Sequence, residues 1–260
     1  MDCNCYPKLS YFFYDWGFTN NPDSHFLSQF NTYGTLLGIG SLVFIWLSAS
    51  YLKWDFLHFI KLVFIPFCIA FCGNILFNVA FGHPLLSLST TPFLCSYLLF
   101  ASLCRIPKSL FLILLIAVGI TKLGCHFSGD GDWGTSVAKD SLFYDTWKDC
   151  RYARNIVNEG ETIKTRFLNY NKTLTSPKYP LPLMDAIVFA LIAFLSFFSK
   201  RINLEISGSA FCVYSIFSNS LSQTPFNSVI LLFYGITFLV LFIMIWNTYK
   251  ERKQRKNQLL

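Results

Sequence analysis

Charge is scarce in this chain. Asp, Glu, Lys and Arg make up 13% of its 260 residues, roughly half of the ~25% that a soluble domain carries. That deficit removes most of the hydrated surface a soluble fold of this length would need. Other features are missing as well. No segment shows the alternation of apolar and polar residues that a membrane β-barrel requires. No basic region leads into an apolar stretch near Met1, which argues against a cleaved signal peptide. No internal repeat is visible, and no Gly-Lys-Ser/Thr sequence marks a phosphate-binding loop. A calcium loop counted from Asp130 would need an acidic or amide residue at its fifth position and Glu at its twelfth; Gly134 and Ser141 stand there instead.

What the chain has in abundance is apolar residues, 53% of the total with 29 Phe, gathered into blocks. A bilayer core of ~30 Å takes roughly 17–25 apolar residues in a helix. Blocks suited to this are Tyr33–Leu52, Ile60–Phe81, Leu85–Cys104, Ser109–Gly124, Leu183–Ser199 and Val229–Trp246, with a shorter, Ser-rich block at Gly208–Leu221. The expected fold is an all-α membrane protein of seven transmembrane helices with one large extracytoplasmic loop. Basic residues set its orientation, because Lys and Arg in short loops stay in the cytoplasm. With the basic tail inside, the cytoplasmic segments hold Lys53, Lys61, Arg105, Lys108, Lys200, Arg201, Lys250, Arg252, Lys253, Arg255 and Lys256, and the short segments opposite hold only Lys8. An even number of spans would destroy this separation.

The expected divisions are an interfacial extracytoplasmic segment (1–32), helices one to four (33–124), an extracytoplasmic loop (125–181), helices five to seven (182–248) and a basic cytoplasmic tail (249–260). The net charge of +7 then reports topology, and its scatter over loop ends argues against a nucleic-acid partner. The aromatic stretch "YPKLSYFFYDWGF" suits a helix lying at the membrane surface. Cys68 and Cys72 share a helix face but have no His or carboxylate company, so no metal is expected. Cys3, Cys5 and Cys150 fall on the oxidising side, where a disulfide can form.

Polar groups at membrane depth are functional candidates by default. Tyr33 and Gly34 open the first span, Asn74 and Asn78 lie one turn apart on the second, and His83 sits in the turn "AFGHPL". Lys122 and His126 flank the end of the fourth span, and Asp185 sits just inside the fifth. Each has a packing role open to it: interhelical hydrogen bonding for the Asn, Ser and Thr residues, snorkelling for Lys122, capping for His83. All except Asn74 lie near the non-cytoplasmic ends of spans, where one cavity can collect them. The stretch "KLGCHFSGDGDWG" (122–134) joins a cation to a Gly-rich turn with two carboxylates. Backbone N–H groups beside a cation make a seat for phosphate, and at a membrane surface that phosphate belongs to a phospholipid.

These residues resemble the prolipoprotein diacylglyceryl transferase family, especially its divergent Bacteroidetes-type branch. "TYGTLLGIG" (32–40) is similar to the family's first-span Tyr-Gly motif, and "KLGCHFSGDGDWG" to its signature. "RYARNIVNEG" (151–160), "PKYPLPLMD" (177–185) and "SGSAFCVYSIF" (207–217) resemble the loop, the entry to the fifth span and the start of the sixth. The resemblance implies a bacterial inner-membrane enzyme of lipoprotein biosynthesis with seven spans and no cofactor. Such an enzyme moves the diacylglyceryl group of phosphatidylglycerol onto the lipobox Cys in the signal peptide of a prolipoprotein. Carried onto this chain, it implies Lys122 at the head-group phosphate and His83 as the base. It further implies substrate contacts from Tyr33, Gly34, Gly124, Cys125, Asp130, Asp132, Gly134 and Asp185. This sequence departs from the pattern in places: Lys122 replaces Arg, Cys125 replaces Asn, Asp185 replaces Glu, and no Arg lies near Ser222 in the sixth span. Arg151 or Arg154 would have to reach in from the loop. The alternative is a catalytically degenerate member acting in lipid binding or membrane assembly. An unrelated transporter would show broken helices or midplane charges, and none is visible.

Overall fold

The computed structural model describes residues 6, 8–18, 20, 26–81, 90–128, 134–141, 144–147, 178–199, 203–221 and 228–258. Among them are α1 (Leu9–Asp15), α2 (Thr32–Tyr51), α3 (Phe56–Phe59), α4 (Ile65–Phe81), α5 (Thr90–Leu103), α6 (Lys108–Ser128), α7 (Tyr144–Trp147), α8 (Leu181–Phe198), α9 (Leu204–Ser220) and α10 (Ser228–Gln258). A π-helical turn at Ile60–Phe64 joins α3 to α4, just before Pro66, which has no N–H to give to a regular ladder. The described residues contain no strand, only the isolated bridges Lys8–Asn31 and Ser136–Lys178.

Among the described residues, four helical stretches are long and apolar enough to cross a membrane: Thr32–Tyr51, Phe56–Ala80, Lys108–Ser128 and Leu181–Phe198. Thr90–Leu103 and Tyr234–Trp246 are apolar but shorter. Burial is arranged for lipid rather than water. Leu42, Trp46, Leu76, Leu191, Phe194, Phe197 and Phe198 point outward, whereas Ser48, Asn74, Asn78, Ser196, Ser207 and Thr237 are buried. In water the apolar exteriors would be untenable; in a bilayer the polar groups are the ones that must turn inward.

Helix ends differ from the sequence expectation in two places. The fourth block continues past Gly124 to Ser128, so Cys125 and His126 lie on the last turn of α6 rather than in the loop. A single Gly costs a helix only about 1 kcal/mol, too little to end one that is packed on its flank. The segment 249–258 likewise continues α10 as a helix.

The chain divides into two compact units. One comprises Met1–Leu42, Ala117–Ile187 and Leu221–Pro225, the other Val43–Ile116, Val188–Ser220 and Phe226–Leu260. In the second, α4 packs on α5, α5 on α10, and α9 on both α5 and α10. Its centre is aromatic: Phe211 meets Phe111 edge-on at 6.4 Å and Tyr234 edge-on at 6.0 Å, and packs at a tilt on Phe189 at 5.5 Å. Stacked and edge-on rings add roughly 0.5–1.5 kcal/mol per pair, a useful increment where lipid removes the hydrophobic drive between helices. A hydroxyl pair, Thr91 with Tyr234, ties α5 to α10.

In the first unit α2 crosses α6 at two glycines. A Cβ on Gly40 would lie 2.6 Å from the Ala117 carbonyl oxygen, and one on Gly124 would lie 3.0 Å from the Leu36 Cβ. Small residues at these points allow the backbones the close approach that drives helix association in membranes. Helix α1 lies beside the last turn of α6: Tyr6 donates its N–H to the Phe127 carbonyl, and Phe12 meets Phe127 edge-on at 6.3 Å. Trp16 and Phe18, just after α1, remain exposed.

Candidate functional site

The site lies in the first unit and is built around the two ends of "KLGCHFSGDGDWG". Its first half is the end of α6, and this positions Lys122. The Lys122 Nζ stands 3.4 Å from Asp185 Oδ2, with each side chain only 12% exposed. Asp185 lies one turn into α8, whose start carries Pro182, a residue suited to the first turn because its missing N–H would have no helical partner there. At 3.4 Å the pair is looser than the 2.7–2.9 Å of a tight charge-assisted hydrogen bond. The carboxylate holds the ammonium at the end of α6 beside the start of α8.

The second half of the stretch is anchored to the same segment. Gly134 N–H donates to the Tyr179 carbonyl at 2.8 Å, and Tyr179 N–H donates to the Thr135 carbonyl at 3.1 Å. Thr135 N–H donates to the Leu221 carbonyl at 2.8 Å, and Lys178 Nζ donates to Ser136 Oγ at 3.0 Å. The hydroxyls of Ser141 and Tyr179 are 2.9 Å apart. Val137, Tyr179 and Leu181 form a small core beneath this pairing, with Tyr144, Met184 and Leu221 against it. Gly134 has no room for a side chain: a Cβ would lie 2.7 Å from the Leu221 carbonyl oxygen and 2.8 Å from the Tyr179 Cβ.

The start of α2 supplies the third part. Asn31 caps the helix, its Oδ1 accepting from Gly34 N–H at 3.2 Å, which satisfies one of the donors left open at a helix N-terminus. Gly124 packs against this turn, its absent Cβ 3.4 Å from the Tyr33 carbonyl oxygen. The space where a Gly34 side chain would stand is open. Cys125 is half-buried and in no disulfide, and its carbonyl accepts from Ser128 Oγ at 3.3 Å. His126 is 6% exposed and meets the Phe127 ring edge-on at 5.2 Å.

Of the residues singled out in the sequence, Tyr33, Gly34, Lys122, Gly124, Cys125, Gly134 and Asp185 therefore belong to one unit. Lys122 and Asp185 are in contact, as are Gly124 and Tyr33. His83, Asp130, Asp132, Arg151 and Arg154 lie outside the described residues. Two features go beyond the sequence expectation. Tyr179 clamps the end of the motif through its backbone and holds Ser141 beyond it through its hydroxyl, and Lys122 is paired with Asp185. The "YPLP" run before Asp185 is the available signal for the first, since its prolines fix the approach to α8. Among the described residues no group of three or more His, Cys, Asp or Glu could hold a metal ion. Compared with protein-family models, with curated proteins and with solved structures, the chain matches none.

Proposed function

We infer that this chain is a multi-pass membrane protein that engages a phospholipid head group at Lys122 and transfers a diacylglyceryl group from phosphatidylglycerol to a cysteine thiol. The topology in this reading is seven spans, adding α5, α9 and α10 to the four long stretches, with 125–181 outside and the basic segment 250–256 in the cytoplasm of a bacterial inner membrane. The observation that carries the reading is the double anchoring of 122–134. Lys122 reaches Asp185 and Gly134 is bound to Tyr179, so both ends of the stretch are held beside one helix entry.

In the reaction the thiol sulfur forms a bond to the diacylglyceryl carbon as that carbon's bond to the phosphate oxygen breaks, releasing glycerol phosphate. The thiol proton passes to a base, His83 in this reading. Lys122 holds the phosphate while negative charge gathers on it. Asp185 keeps the ammonium aimed, at 3.4 Å and with both side chains mostly buried. The substrate cysteine is that of a prolipoprotein signal peptide, as the sequence resemblance implies.

A second reading is favoured by one feature. The cation at Lys122 is already partnered by a carboxylate, and the sequence has no Arg near Ser222 to add a second positive charge. The same scaffold would then bind lipid without turning it over. Purified protein with phosphatidylglycerol and a lipobox peptide separates the two, with the peptide's mass as the readout. The transferase reading expects a gain of one diacylglyceryl group, reduced in His83→Ala and much less affected in His126→Ala. No gain under conditions where an authentic family enzyme works selects the lipid-binding reading.

A further inference from the structure

A cavity of about 290 Å³ opens in the second unit, where the end of α5, the start of α6 and the start of α9 meet. Its lining combines the polar side chains Ser102, Arg105, Lys108, Asn203 and Glu205 with the apolar Ile106 and Leu204. It lies at the first residue of α6, one of the stretches long enough to span a membrane, and hence at head-group level. Three observations indicate that it is built for a ligand. Arg105 is exposed and has a backbone φ of 54°, in the left-handed region that costs a non-Gly residue about 1–2 kcal/mol. It follows the end of α5, where Gly is the ordinary choice, and a long cationic side chain stands there at the cavity's edge. Ser102 is 2% exposed and its hydroxyl has no partner among the described residues. Arg105 and Glu205 line the same cavity without forming an ion pair with each other.

The charges are mixed. Lys108 donates to the Ser196 and Ser199 carbonyls at 2.7 and 2.8 Å, tying the end of α8 to this corner and fixing a positive charge there. Asn203 caps α9 by accepting from Ile206 N–H at 3.0 Å, which holds Glu205 at the rim. Two cations and one carboxylate around a small cavity suit a group that is itself zwitterionic. We propose that this cavity is a phospholipid head-group site for an ethanolamine phosphodiester, with the phosphate at Arg105 and the primary ammonium at Glu205. Arg offers the planar fork that matches phosphate oxygens, and a carboxylate can accept hydrogen bonds from a primary ammonium but not from a trimethylated one. The site is separate from Lys122 and does not depend on the transferase reading.

Full-length protein presented with equal amounts of phosphatidylethanolamine and phosphatidylcholine, followed by native mass spectrometry, tests the assignment. Phosphatidylglycerol is left out so that Lys122 does not contribute. Wild type should retain one phosphatidylethanolamine in preference to phosphatidylcholine by roughly tenfold, the worth of a charge-assisted hydrogen bond. Glu205→Gln should erase that preference. Arg105→Gln should lower retention of both lipids, and Arg105→Lys should restore part of it. Equal retention of the two lipids by wild type, or a preference unchanged in Glu205→Gln and Arg105→Gln, overturns the proposal. Displacement of the lipid by acyl-free glycerophosphoethanolamine overturns its assignment to the bilayer.

Discussion

Removing Lys122 should destabilise the first unit more than removing its partner, and removing both should recover most of the loss. At the observed 3.4 Å, an effective dielectric of ~20 gives an attraction of about 5 kcal/mol between unit charges. Withdrawing two groups from water to 12% exposure costs several kcal/mol per ion, so the net worth of the pair is small. Its disruption is not, because Lys122→Met takes the cation away from a mostly buried Asp185 carboxylate, a loss of about 3–5 kcal/mol. Asp185→Leu strands an ammonium on a long stem that can swing toward the interface, and about 1–2 kcal/mol is expected. Lys122→Met with Asp185→Leu leaves an apolar pair and should lie within about 1 kcal/mol of wild type. Against a total stability of roughly 5–15 kcal/mol, these differences are readable as thermal inactivation in detergent, followed by size-exclusion recovery. Additive losses in the double variant, with no coupling energy, would refute the pairing argument. Lys122→Arg keeps the charge and adds a second donor arm, so phosphatidylglycerol binding should hold or rise in that variant and fall in Lys122→Ala. Equal binding by Lys122→Ala and wild type would reduce Lys122 to a membrane anchor.

Other predictions follow from the same geometry. Gly134→Ala, with its Cβ forced to within 2.7 Å of the Leu221 carbonyl, should cost about 1–3 kcal/mol by overpacking and speed amide exchange at Thr135 and Tyr179; unchanged exchange there would contradict the clamp. A Cys placed at Ser141 should react with an impermeant thiol reagent in intact cells, whereas labelling only after permeabilisation would reverse the topology. Asp55 caps α3 by accepting from His58 N–H at 3.0 Å, and that bond holds its carboxyl below the usual pKa. The cap's contribution is thus present above the ordinary carboxylate pKa and is lost as pH falls through the lowered one. Exchange at residues 56–59 should rise only under strongly acidic conditions in wild type and at neutral pH in Asp55→Ala. Similar exchange in both proteins at neutral pH would contradict the cap.

Hydropathy accumulates along the chain, residue by residue, and needs no knowledge of neighbours. That is why the apolar helices are legible in the sequence itself, nearly to their ends, as at Thr32–Tyr51 and Leu181–Phe198. Lys122, Gly134 and Asp185 are legible as candidates for a similar local reason: a polar residue beside an apolar span is conspicuous wherever it lies. Their grouping is not legible. Lys122 meets Asp185 because α6 and α8 bring them together, and Gly134 meets Tyr179 through backbone groups whose pairing carries no side-chain signature. Gly124 reads as a stop signal for its helix, yet α6 runs through it. Packing against Leu36 and Tyr33 outweighs a local preference worth about 1 kcal/mol. The cavity at Arg105 is equally hidden, since its residues come from three helix ends and each reads alone as one more polar or charged group beside an apolar block. Side-chain chemistry is written locally in the sequence. Which of those side chains share a site is decided by contacts between distant segments, and these exist only once the helices have packed.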